Sequence, residues 1–513
     1  MPSIQSVPRL SSFAILGLLS TACATTPPPA PAPESPATPA APSAPPPSAA
    51  KVATQEKALA AAPPYGPFTP SSYPNPPPPY SGPLFSVAHA WPTTPLPPPA
   101  TPPWIAALKG QPISGKNAQA YVEALKAYIT PAMKTLIFDY AHWNGDAMGF
   151  YSSPWLAPYA EPIHGTYVGS GFPAATFPRS GLKVPMTTYV LTLYDKVAAS
   201  TLSTLWGTDA LKFNATPSSG QFTEGAIVIK PAFTTACASD WPPMQGAEVW
   251  QVYAPLDDSN GSGHGKTACP NNGSGGAKPD DPVITDVYLF QFDIIVKDTK
   301  TAPKTGWVFS TLVYDMNAKG KDVWDKMIPL GAMWGNDPTV NSTKNPNAPL
   351  AENWINPKSP VYSTETLGWG GRLSGPNDGA LVAPAVVANQ PVNVAAASSC
   401  MSCHLTAEYP MKSFLLPSPP DGTGTPPNPT MKGDAMVLYP PGGNEWNTWF
   451  QDLAGNAPKD AGTIAMDYDM NTTFKAVPAW QQATSGTPHP GLLQELRVRT
   501  RLNGRYNGKP IGH

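Results

Sequence analysis

The chain has 513 residues, 70 of them proline, with 13% charged side chains and a formal net charge of −2. A charge so low and so balanced offers no basic field for nucleic acid or for an anionic lipid surface. Proline crowded toward the N-terminus leaves a folded body shorter than the chain, while 15 Trp and 10% aromatic residues supply that body with a packed core.

Residues 1–22 read as an export signal. Arg9 precedes the apolar run "SSFAILGLLSTA", which is too short to span a bilayer. The run ends at Cys23, and "LLSTAC" resembles a bacterial lipobox, in which the cysteine is lipidated and becomes the new N-terminus. The pattern departs at Ser20, where leucine is commonest, with Leu19 one position earlier. Ordinary secretion with cleavage near Ala22 or Ala24 is the alternative. By that resemblance, Ala24 instead of Asp after the cysteine favours an outer-membrane lipoprotein of a bacterial envelope, held to the membrane by its lipid and facing periplasm or exterior. Residues 23–103 are a Pro-rich linker, expected as a disordered tether because its prolines remove backbone donors and its composition buries no core. Within it, residues 63–103 add Tyr65, Phe68, Tyr73, Tyr80, Phe85 and Trp91, which suit contact with the body.

The body begins near Trp104. Its first part, 104–220, reads as helical. Tyr121, Leu125, Ile129, Met133 and Leu136 form one stripe in 117–140, with Pro131 set to kink the helix or start a second one. A further segment, 187–206, reads as helical in its later half. From 221 the period becomes two. The stretch "VYLFQFDIIVKD" puts Tyr288, Phe290, Phe292, Ile294 and Val296 on one face and Gln291, Asp293 and Lys297 on the other. "TEGAIVIKPAF", "GAEVWQVYAPL" and "TGWVFSTLVYD" are three more candidate strands. No helical crossover separates them, so an antiparallel sheet follows. The fold class is α+β, an antiparallel sheet core with flanking helices. Residues 221–410 hold the sheet and the motif below, and 411–513 form a helical or irregular C-terminal extension.

Five cysteines are present. Cys400-Met401-Ser402-Cys403-His404 is the spacing of covalent c-type haem attachment: two thioethers fix the porphyrin, and the histidine that follows at once is placed on the iron. A zinc site would need a second ligand pair nearby, and a thioredoxin-like site would leave the histidine unexplained. Chance occurrence of the pattern at this composition is about 7 in 10,000. One motif implies one haem c, attached by Cys400 and Cys403, with His404 as the proximal iron ligand. With Cys23 lipidated, Cys237 and Cys269 remain, and an oxidising compartment pairs them as a disulfide; two buried thiols are the alternative. The reading is a redox or electron-transfer cytochrome, with nothing in the sequence to identify its redox partner.

The order of sheet before motif resembles the cytochrome P460 and cytochrome c′-beta group. "FTEGAIVIKPAF", "FDIIVKDTKTAPKTGWVFSTLVYD" and "CMSCH" carry the resemblance, over less than a third of the chain. A longer gap before Cys400 and a hundred residues after the motif depart from it. The resemblance implies either oxidation of a small nitrogen substrate such as hydroxylamine, with a lysine cross-linked to the haem and a distal carboxylate, or binding of nitric oxide without turnover. Lys230 is then the cross-link candidate and Asp293 the distal acid, with Lys297 as the other lysine; a solvated strand lysine is the ordinary reading of both. The distal iron position is expected open or weakly held. Met411, Met431, Met436, Met466 and Met470 follow the motif without any local pattern that selects one, and His142 and His164 read as surface-packed.

Overall fold

In the computed structural model the described residues are 66–73, 75–97, 100–172, 174–255, 269, 282–378, 399–412 and 442–485, with the backbone of two short strand pairs, Pro384–Val387 with Gln390–Asn393 and Arg505–Tyr506 with Lys509–Pro510. Cys23, His264, Met431, Met436, His489 and His513, and most of the 257–281 insertion, lie outside them. No described helix is long and apolar enough to cross a membrane.

The stripe at 117–140 forms one helix, α1 (Ala118–Phe138), with Pro131 inside it. Pro131 has no N–H for the Ala127 carbonyl, yet the helix neither breaks nor restarts. Ile129 and Met133, one on each side of the proline, are both buried and hold the two halves on one surface. A mixed α+β body is built around one large antiparallel sheet of ten strands among the described residues: β1 (Phe150–Tyr151), β2 (Tyr167–Phe172), β3 (Met186–Val190), β4 (Leu193–Asp195), β5 (Ile227–Thr234), β6 (Val249–Pro255), β7 (Pro282–Lys297), β8 (Trp307–Tyr314), β9 (Met327–Met333) and β10 (Asn353–Ile355). The main path runs β1-β4-β5-β7-β8-β9-β10, with β2 on β3, β3 on β5, and β6 on β7. Helix α2 (Lys196–Trp206) follows β4 directly, because the Asp195 side chain caps it by accepting from the Ala198 N–H at 2.8 Å.

The four strands expected from alternation are β5 to β8. Two domain boundaries move. Strands β1 to β4 precede residue 221 and join the same sheet, so no helical part ends at 220; their runs are short and rich in Thr and Tyr, too brief for period two to stand out. The linker assigned to 23–103 has a described part that lies on the body: Phe85, Ala88 and Trp91 are buried, Phe68 stacks on His89, and the Trp91 indole donates to the Ser152 carbonyl. These aromatics anchor backbone whose prolines leave it few hydrogen bonds of its own.

The two faces of the sheet have different covers. Phe292 meets Trp324 edge-on at 4.9 Å, and the Trp324 indole donates to Thr130 of α1, which places α1 over the Phe290, Phe292, Ile294 face. The opposite face was expected to be polar. It is polar and also buried, since Gln291, Asp293 and Lys297 are all under a tenth exposed. The cover comes from the chain after β10, including residues 399–412 and 442–485. This cover, which takes in the described residues of the 411–513 extension, is part of the body. It contributes α3 (Cys400–His404) and α4 (Val477–Ser485), the latter continuous with a wider turn at Thr472–Ala476.

Candidate functional site

The site is built where α3 lies on the polar sheet face. Helix α3 is short, and side chains fix its start. Ser399 and Ser402 cap each other reciprocally: the Ser402 N–H donates to Ser399 Oγ at 3.0 Å and the Ser399 N–H donates to Ser402 Oγ at 2.7 Å. Ser399 Oγ also donates to Asn336 Oδ1, and the Cys400 N–H donates to the Leu373 carbonyl. Met401 and Ser402 are buried, so the helix turns Cys400 and Cys403 to its half-buried side, and the two thiols are not bonded to each other. Arg372, fully buried between the Trp369 and Phe450 rings, donates to the carbonyls of Asn336, Trp369, Asp337 and Val340 and so holds the loop on which Ser399 rests.

His404 ends the helix with its ring edge-on to Phe309 of β8, centroids 4.8 Å apart. Its Nδ1 donates to the Tyr468 carbonyl at 2.8 Å, a tautomer assigned from that partner, which puts the ring's lone pair on Nε2. Burial pushes the imidazole down to about 4, against a smaller upward pull from the Tyr468 carbonyl, so the ring is neutral at pH 7. Burial likewise raises the Cys400 thiol well above its usual value, with Asp378 and Asp293 adding to the effect. Two cysteines on one turn that form no disulfide with each other, and a neutral imidazole oriented by a carbonyl, fit the attachment that a covalent haem would need.

Sheet register brings the other candidates together. Lys230 of β5 pairs across to Asp293 of β7, and Asp293 pairs to Thr311 of β8, so all three share the face that carries Phe309. Lys230 Nζ lies 3.2 Å from Asp293 and 2.6 Å from Asp378. Gln291 donates to Asp293 at 2.9 Å and to Asp378 at 2.7 Å, and Thr311 donates to Asp293 at 2.7 Å. Lys230 is thus no solvated strand lysine; its side chain is 19% exposed. Burial works against its charge, but Asp378 and Asp293 override this and raise its proton affinity. One ammonium serves two carboxylates. The closer Asp378 is held below its usual range despite burial, and Asp293 is pushed up by burial and by Asp378.

Lys297 is not solvated either. It donates to both oxygens of Asp467, at 2.6 and 2.8 Å, and lies over the Trp307 ring. His164 is buried, not surface-packed: it stacks on Trp250 at 4.1 Å, and its Nδ1 meets the Gln251 carbonyl. His142 is exposed and paired with Asp139. Met466 is fully buried, its sulfur 3.0 Å from where a Gly220 Cβ would sit, and Met470 accepts a long contact from Thr406 at 3.6 Å. The Met466 sulfur therefore lies beside Gly220, ahead of β5, and the Met470 sulfur beside Thr406, just after the motif. The Cys237 and Cys269 sulfurs lie at disulfide distance, buried beside Asp240.

Asp378, Gln291, Asn336, Asp467 and Tyr468 were not singled out in the sequence. Gln291 at least stood on the polar face of a recognisable strand; the others lie in turns whose residues carry no local signal. No family model, curated protein or solved structure matches this chain.

Proposed function

We propose that the chain is an exported, lipid-anchored monohaem c-type cytochrome with a redox role. Cys400 and Cys403 hold haem c through thioethers and His404 is the proximal iron ligand. The observation that carries this reading is the geometry of α3: two cysteines on one capped turn, not joined to each other, followed by an imidazole whose Nδ1 is already engaged by a carbonyl. A haem bound there supplies a one-electron iron couple. His404 offers Nε2 to the metal, Tyr468 orients the ring, and Phe309 and Met401 exclude water from the attachment turn. Cys23 supplies the anchor that keeps the protein at the bacterial outer membrane.

Haem staining after denaturing electrophoresis tests the reading. Wild-type protein is expected to keep its stain, and Cys400→Ser with Cys403→Ser to lose it; wild type without covalent stain refutes the proposal.

A P460-like enzyme acting on a small nitrogen substrate is a second reading, favoured by Lys230 and Asp293 meeting on the face that α3 covers. Asp293 is the carboxyl disposed to hold a proton. Lys230, held as an ammonium, has no lone pair for a cross-link until it loses its proton. A red-shifted Soret band abolished by Lys230→Ala supports the enzyme. An ordinary Soret band with prompt uptake of nitric oxide by the reduced protein supports a gas-binding module instead, a reading that the engagement of Met466 and Met470 elsewhere favours.

A further inference from the structure

Asp467 and Tyr468 are consecutive non-glycine residues with φ of +47° and +68°. Side chains with a Cβ rarely adopt that left-handed region, and it persists only where surrounding contacts over-determine it. Here they do. The fully buried Asp467 carboxylate accepts four hydrogen bonds: two from Lys297, one from the Trp307 indole at 2.7 Å and one from the Phe222 N–H at 2.8 Å. Gly455 packs so closely on the same carboxylate that no Cβ would fit there. The Tyr468 hydroxyl donates to the Leu453 carbonyl. The outcome of this unusual turn is one aimed atom, the Tyr468 carbonyl oxygen on His404 Nδ1.

We infer that Asp467, clamped by Lys297 and Trp307 of the sheet, is the positioning residue for the axial histidine: it holds the Tyr468 carbonyl where it fixes the tautomer, ring orientation and basicity of His404. The inference rests on the proposed haem reading and adds to it a means by which the sheet tunes the iron. Groups that accept the second N–H of a metal-bound histidine raise its donor strength, and their loss commonly changes metal affinity or activity tenfold to a hundredfold. Lys297 and Trp307 sit at the facing ends of β7 and β8, paired in register, so the clamp is as rigid as the sheet.

Asp467→Asn replaces one acceptor oxygen with a donor amide, which removes the ion pair with Lys297 and one of the two hydrogen bonds from it. Trp307→Phe is the milder variant, removing one donor and keeping a ring. Both are expected to weaken the carbonyl contact to His404, lower the iron–histidine stretching frequency in resonance Raman spectra and favour the reduced state. For Asp467→Asn the shift in the redox equilibrium is expected near tenfold, a potential more positive by about 59 mV for one electron. Tyr468→Phe loses the hydroxyl bond to Leu453 but keeps the carbonyl and the Asp467 clamp, so it is expected to lose stability with a shift in potential well below that of Asp467→Asn. An unchanged potential and stretch in folded Trp307→Phe and Asp467→Asn overturn the inference, as does an equal shift in Tyr468→Phe. Should wild type carry no haem, the proposed function falls, and nitrogen-15 NMR of His404 still decides the clamp. An Nδ1–H tautomer that becomes mixed in Asp467→Asn supports it, and an identical tautomer population overturns it.

Discussion

Replacing Lys230 with methionine leaves two carboxylates on the covered sheet face without their cation. The ammonium lies 2.6 Å from Asp378 and 3.2 Å from Asp293, with side chains 19%, 25% and 7% exposed for Lys230, Asp378 and Asp293. Breaking a buried pair by removing one partner costs about 3–5 kcal/mol, and the partial exposure of Asp378 brings the expectation to about 3 kcal/mol at neutral pH. The loss depends on pH with a definite sign. In the wild type Asp378 is held below its ordinary 3.8, so its contribution is present above that value and is lost as pH falls through the folded value. In the variant both carboxyls rise above their unfolded values, the folded state binds the extra protons, and stability returns on acidification. The gap between the two proteins is therefore widest near about pH 8 and narrows toward about pH 5. Urea midpoints at the two pH values, with an unchanged m, measure it. Adding Asp378→Asn removes the surplus charge, so the double variant is expected to be more stable than Lys230→Met alone. A cost below about 1 kcal/mol at both pH values, or a gap that widens on acidification, refutes the reasoning.

Reducing the Cys237–Cys269 bridge, which closes a separation of 32 residues, is expected to cost about 3–4 kcal/mol on the chain-entropy argument. Peptide mapping without reductant is expected to recover the two cysteines linked, and two free thiols in protein purified without reductant defeat the assignment. Burial raises Asp195 from 3.8 to about 7, outweighing the N–H groups of Ala198 and Ile227 that favour its charge. The stability this carboxyl confers in acid is therefore lost as pH climbs from about 4 to 7. Asp195→Asn keeps the helix cap and removes the charge, so it is expected to exceed wild type at about pH 8, by at most about 4 kcal/mol, and to match it at about pH 4; a pH-independent difference in urea midpoints contradicts this.

Much of the central sheet is legible in the sequence alone, for a local reason. Alternation along 287–298 and 305–315 follows from the two-residue period of a strand, and the α1 stripe follows from the 3.6-residue turn, both contained in a dozen consecutive residues. The Cys400–His404 spacing is local in the same way. Long-range partners are not legible there. Lys297 and Asp467 are 170 residues apart, Lys230 and Asp378 are 148, and the Tyr468 carbonyl reaches His404 across 64. A strand pattern shows that Lys230, Asp293 and Lys297 share a polar face, and it leaves open whether water or protein lies over that face. Tertiary structure decided that point by folding residues 399–412 and 442–485 across the sheet, which turned lysines expected in solvent into the cations of buried pairs. Water was removed, and a low-dielectric setting leaves such charges stable only when they are paired; that is why their partners, invisible in the local sequence, define the site.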